Sequence, residues 1–125
     1  MKNFKILSLF LFMTTFSVAQ NEKRTFESIE NKNTYFQINV NDGFYKISKY
    51  SSKIIETTFI PINQKELIES HAVILNSNIK YSIFKEDAEK AIILTDGITV
   101  EIQKAPFKIT YFYKDKEITS EKQGY

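Results

Sequence analysis

From Thr34 onward the chain is written in runs of four to eight residues, and turn residues break each run. That punctuation leaves no room for a long amphipathic helix and argues against α/β architectures. Ile98–Lys104 (ITVEIQK) is the cleanest run, with Ile98, Val100 and Ile102 on one face and Thr99, Glu101 and Gln103 on the other. Thr34–Val40 alternates in the same way: Phe36, Ile38 and Val40 oppose Tyr35, Gln37 and Asn39. Asn41-Asp42-Gly43 then reads as a tight hairpin turn, with Gly or Asn at positive φ. Phe44–Tyr50 is the returning strand. Lys53–Ile60 is a third, stopped by Pro61.

Pro61–Ser70 has some helical spacing but is short enough to be a loop. His71–Leu75, Ile79–Phe84 and Ala91–Leu94 read as further strands, with Lys85–Lys90 as a charged turn and Thr95-Asp96-Gly97 as a second hairpin signal. Ala105-Pro106 is a break, Phe107–Tyr113 a strand, Lys114-Asp115-Lys116 a turn, and Glu117–Thr119 the start of one more strand. About nine short strands indicate an all-β fold, an antiparallel β-sandwich or barrel. No internal repeat or low-complexity tract interrupts the pattern.

The start of the chain is different. Lys2 and Lys5 precede an apolar run, Ile6–Met13, which tapers to Ser17, Val18 and Ala19. This is the pattern of a secretory signal peptide, with cleavage expected after Ala19. The run is too short to span a bilayer as a helix. No Cys follows it, so lipid anchoring is excluded. Residues 20–33 (QNEKRTFESIENKN) read as a flexible polar lead-in, with at most one helical turn around Glu27. The sandwich is expected over 34–125.

Charge sharpens once the leader is set aside. The whole chain has 17 basic and 15 acidic residues, a formal +2. Without residues 1–19 and their two lysines, 106 residues remain, with 15 basic and 15 acidic side chains. The basic character belongs to the leader. The lysines are scattered and Arg24 is the one arginine, which argues against nucleic acid as a partner.

Chemistry-bearing constellations are sparse. The absence of Cys removes disulfides, thiolate metal sites and a Cys nucleophile. His71 is the single imidazole, and no Ser or carboxylate stands at a catalytic spacing from it; a strand-end hydrogen-bonding role outweighs catalysis. Glu86, Asp87 and Glu89 offer carboxylates of the kind glycosidases use, but they share one polar turn whose side chains diverge into water. Asp115 and Glu117 lack a glycine-containing calcium loop. Tyr111, Phe112 and Tyr113 are the densest aromatic group. Tyr111 and Tyr113 share a face with Phe107 and Ile109, and core packing is favoured over a sugar-stacking platform. No catalytic, cofactor or metal residue is assigned, and no substrate-binding residue is identified.

Asp96–Gly124 (DGITVEIQKAPFKITYFYKDKEITSEKQG) runs from an alternating strand into Lys104-x-Pro106-Phe107. A second strand then ends in aromatics, and a charged turn follows. This segment resembles the N-terminal β-sandwich domain of glycoside hydrolase family 31, the α-glucosidase and α-xylosidase family. Asp42–Ile47 (DGFYKI), Ile54–Phe59 (IIETTF) and Pro61 are similar to that domain's opening strands. The resemblance spans roughly residues 34–124, and Lys104, Pro106 and Phe107 are its most telling positions. Lys116 departs from it: the family often has glycine in that hairpin, so a longer or differently shaped turn is expected.

The resemblance implies a galactose-mutarotase-like sandwich that is incomplete here, in an exported (periplasmic or secreted) retaining α-glycosidase. The two catalytic aspartates of that family sit on a downstream (β/α)₈ barrel, and no residue here matches them. The implied partners are that catalytic barrel and an α-linked saccharide, with no nucleic acid, no membrane span and no cofactor. An incomplete sandwich would leave the Ile98, Val100 and Ile102 face without an opposing sheet, and the isolated chain marginal or aggregation-prone. Two other readings stay open. One is a free-standing secreted sandwich that binds a carbohydrate or apolar ligand. The other is an interaction module that works by strand addition.

Overall fold

The computed structural model describes residues 24–65 and 82–121. The expected leader, the strand His71–Leu75 and most of the Pro61–Ser70 segment lie outside the described residues. So does the start of the expected Ile79–Phe84 strand.

Every regular element among the described residues is a strand. They are β1 (Phe26–Asn31), β2 (Tyr35–Val40), β3 (Gly43–Ser51), β4 (Ile54–Pro61), β5 (Ile83–Glu86), β6 (Lys90–Leu94), β7 (Ile98–Gln103), β8 (Lys108–Tyr113) and β9 (Lys116–Glu121). They form two antiparallel meanders, one of four strands in the order β1-β2-β3-β4 and one of five in the order β5-β6-β7-β8-β9. Short turns join strands that are neighbours in the chain, as antiparallel pairing allows.

One apolar core spans both sheets. Phe36, Ile38, Val40, Tyr45 and Ile47 from the first join Ala91, Ile93, Val100, Ile102, Ile109 and Tyr111 from the second, with Phe107 just before β8. The period-2 alternation delivers each set to one face. Aromatic rings bridge the layers: Phe36 stacks on Phe84 at 5.3 Å and Tyr45 meets Phe107 at 5.7 Å. The expectation that the Val100 and Ile102 face lacks an opposing sheet is therefore corrected. Both residues are fully buried in the shared core.

Three further expectations change. The polar lead-in contains β1, paired with β2. A bulge between Phe26 and Ser28 lets Phe26 and Ile29, three residues apart, both pack against the core. The charged turn after Phe84 is shorter than expected, because Lys85 and Glu86 pair with Ile92 and Ala91. The β8–β9 turn is a two-residue turn and not a longer one. Lys114 (φ 48°) and Asp115 (φ 62°) are both left-handed, and Lys116 pairs with Tyr113 as the first residue of β9.

The β2–β3 turn is made by Asn41 and Asp42, with Val40 paired to Gly43. Its positive φ falls on Gly43, the first residue of β3, and a Cβ there would also collide with the Ile60 carbonyl oxygen. Gly97 is similarly confined by the Ser52 carbonyl, which accepts the Ile98 N–H at 3.1 Å. That bond joins the β3–β4 turn to the start of β7, and so one sheet to the other.

Candidate functional site

The strongest polar constellation sits at one end of the sandwich. Arg24 precedes β1, Asp42 lies in the β2–β3 turn, Tyr45 is on β3 and Phe59 on β4. The Arg24 guanidinium donates to both Asp42 carboxylate oxygens, from Nε at 2.8 Å and from Nη2 at 2.8 Å. Its Nη1 donates to the Tyr45 hydroxyl. Its central carbon stands 3.9 Å from the Phe59 ring centroid and 5.3 Å from that of Tyr45. A planar fork with five donors suits this combination of carboxylate, phenol and ring face, where a lysine would not. Arg24 is only 7% exposed. Burial works against its charge, but the Asp42 and Tyr45 interactions outweigh that, and the guanidinium pKa stands above its ordinary value. The Tyr45 phenol is pushed up by burial, with Arg24 opposing.

A second polar link crosses the core. The Tyr111 hydroxyl on β8 shares a hydrogen bond of 2.6 Å with Thr57 Oγ1 on β4, and donates to Glu121 Oε1 at 3.5 Å. Burial raises the Tyr111 pKa well above the ordinary tyrosine value, and the Thr57 bond opposes that rise.

The third constellation contains the Lys-x-Pro-Phe motif. Lys104 Nζ pairs with Glu86 Oε1 at 2.8 Å and donates to the Asp87 carbonyl at 2.5 Å. Its backbone N–H donates to the Glu89 carbonyl at 2.9 Å, and its ammonium lies 5.3 Å from the Phe26 ring centroid. The Ala105–Pro106 bond is cis, and Phe107 is buried.

The residues considered for chemistry disperse into structural roles. In the acidic turn, Glu86 pairs with Lys104, while Asp87 Oδ1 accepts the Glu89 and Lys90 N–H groups, each at 2.8 Å. Those two backbone donors hold the Asp87 carboxyl below its ordinary pKa. Asp115 and Glu117 are exposed at the β8–β9 turn. Phe107, Ile109 and Tyr111 are core residues, while Phe112 and Tyr113 are half-buried. His71 lies outside the described residues. Among the described residues no group of three or more His, Cys, Asp or Glu is placed to hold a metal ion, and no helix is long and apolar enough to cross a membrane.

Sequence reasoning did not find the Arg24–Asp42 pair. Its one available signal was that Arg24 is the single arginine, standing in a stretch that otherwise reads as solvated. No family model and no curated protein matches the sequence.

Proposed function

We propose that these strands form the N-terminal, non-catalytic β-sandwich of an exported family 31 α-glycosidase, a galactose-mutarotase-like domain that supports a catalytic barrel carried elsewhere in the polypeptide. The observation that carries this reading is the use made of the motif residues. Lys104 is tied to Glu86 and to the 87–89 turn, and Phe107 fills the core against Tyr45. In the earlier matching stretch, Asp42 clasps Arg24 and Tyr45 and Ile47 are core. Of the residues that carry the resemblance, Phe107 packs from the second sheet onto Tyr45 of the first, and Tyr45 and Ile47 enter the shared core. Export follows from the leader pattern of residues 1–19, and the neutral remainder fits a saccharide-handling role better than an anionic partner.

The reading frame beyond codon 125 tests the assignment. A continuous frame with the alternating strand and helix pattern of a (β/α)₈ barrel is expected. The present chain alone should release no nitrophenol from p-nitrophenyl α-glucoside. A stop codon directly after Tyr125, together with a soluble folded product, overturns the assignment. So does hydrolysis by this chain alone.

A further inference from the structure

The sequence contains two Asp-Gly dipeptides, Asp42-Gly43 and Asp96-Gly97, each at a turn between consecutive strands. In such a pair no side chain screens the glycine nitrogen from the aspartate Cγ one residue back, and a backbone nitrogen that reaches that carbon can attack it. The fold treats the two pairs differently. Both Asp42 oxygens are held by the Arg24 fork, and the aspartate side chain is 22% exposed. Asp96 is exposed, and among the described residues no hydrogen-bond donor or cation holds its carboxylate. The Gly97 N–H meets the Thr95 hydroxyl at 3.3 Å, past the usual range, and shares it with the Ile98 N–H at 2.9 Å.

We infer that Asp96–Gly97 is the bond at which the folded protein isomerises with age, and that the Arg24 fork spares the matching bond, Asp42–Gly43. The Gly97 nitrogen attacks the Asp96 Cγ and closes a five-membered succinimide. The amide proton, one carboxylate oxygen and a proton from solvent leave as water. Water then reopens the ring. Opening at the Asp96 backbone carbonyl routes the main chain through the side chain, leaves a carboxylate on Cα and returns the proton, so the product is an isomer of the original chain. Asp42 does not enter this route while three charge-assisted contacts from Arg24 fix its carboxylate. The rerouted backbone at Asp96 is one carbon longer, and the turn has no room for it. The Ser52 carbonyl oxygen crowds Gly97 and accepts the Ile98 N–H at 3.1 Å. Isomerisation therefore breaks the bond that joins the β3–β4 turn to β7.

The test is to age the full chain for several weeks near neutral pH and body temperature, once folded and once in urea. Isoaspartate is read at each site by peptide mapping with electron-transfer fragmentation, and in total by methyl transfer from S-adenosylmethionine with an isoaspartyl carboxyl methyltransferase. In urea the two dipeptides should react alike. In the folded chain isoaspartate at position 96 should exceed that at position 42 at least about tenfold, because freeing Asp42 first requires opening the fork. Hydrogen exchange on the aged sample should show the Ile98 amide unprotected in the isomerised fraction. Arg24→Ala should raise isoaspartate at position 42 toward its level in urea. Asp96→Glu, whose side chain would have to close a six-membered ring, should keep the fold, lose the signal at position 96 and retain Ile98 protection through ageing. A folded chain that forms no isoaspartate at Asp96 while the urea sample does overturns the inference. So does a ratio between the two sites that is the same folded as in urea, or an Asp96→Glu chain that loses Ile98 protection at the rate of the unaltered one.

Discussion

Arg24 lies across the Asp42 carboxylate with Nε 2.8 Å from one oxygen and Nη2 2.8 Å from the other, so a residue ahead of the first strand is locked to the second hairpin. The pair is largely withdrawn from water, with the arginine side chain 6% and the aspartate 22% exposed. Removing one partner leaves the other charge poorly compensated. Arg24→Ala is expected to cost about 3 kcal/mol, and Asp42→Asn a comparable amount. Arg24→Lys should recover only part of the loss, because an ammonium cannot span both oxygens and the phenol. Urea unfolding midpoints check this, and a loss under about 1 kcal/mol for Arg24→Ala would contradict a closed clasp.

Gly97→Ala should destabilise by about 1–3 kcal/mol. Its Cβ would enter the space of the Ser52 carbonyl oxygen, which accepts the Ile98 N–H. The obstacle is backbone and not a flexible side chain, so relief requires the β3–β4 turn to move away from β7. Loss of protection at the Ile98 amide in hydrogen exchange would localise the effect. An unchanged midpoint would show that the two turns are not in contact.

At high pH the buried phenols govern stability. Tyr45 and Tyr111 both stand above the ordinary value of 10.0, chiefly through burial. A raised folded-state pKa contributes stability that is fully present below the unfolded value. It is lost as pH climbs through the folded-state value. Stability should therefore fall as pH rises above about 10, because the unfolded chain ionises there first. Phenolate absorbance should show these two of the seven tyrosines resisting ionisation until the chain unfolds. Tyr111→Phe should flatten the alkaline decline, and a decline of unchanged slope would contradict the assignment to Tyr111.

The β8–β9 turn offers a gain. Lys114 and Asp115 are both left-handed, with φ of 48° and 62°, although neither residue favours that region strongly. Replacing them by Asn and Gly should stabilise by about 1 kcal/mol, because that pair suits a two-residue turn with two positive φ values. A rise in the thermal midpoint without a change in the strand amide pattern checks it. A fall would mean that the Lys114 ammonium, 5.5 Å from the Tyr113 ring centroid, contributes more than the turn strain costs.

Where side chains alternate strictly, the strands were legible. β2 and β7 match their expected runs within one residue, as does the continuously apolar β6, and Phe36, Ile38, Val100 and Ile102 are core as their faces require. The misses have separate physical origins. The bulge in β1 places Phe26 and Ile29 on one face at a spacing of three, so a half-buried strand looked like solvated text. β5 runs on from the expected Ile79–Phe84 strand through Lys85 and Glu86, whose charge made the end of this edge strand read as a turn. The Arg24–Asp42 clasp was not legible, because its partners are 18 residues apart and meet only once β2 and β3 have folded back. The pairing of the Val100 and Ile102 face with the first sheet is a tertiary fact of the same kind.

The most direct measurement is the size and activity of the native polypeptide that carries these strands. It can be captured from the exporting cell with an antibody raised against the region from Arg24 to Glu121. The account predicts a single polypeptide longer by at least the roughly 250 residues that a (β/α)₈ barrel needs. It should hydrolyse an α-glucoside or α-xyloside with retention of anomeric configuration. A captured polypeptide of no more than 125 residues, without that activity, would contradict it.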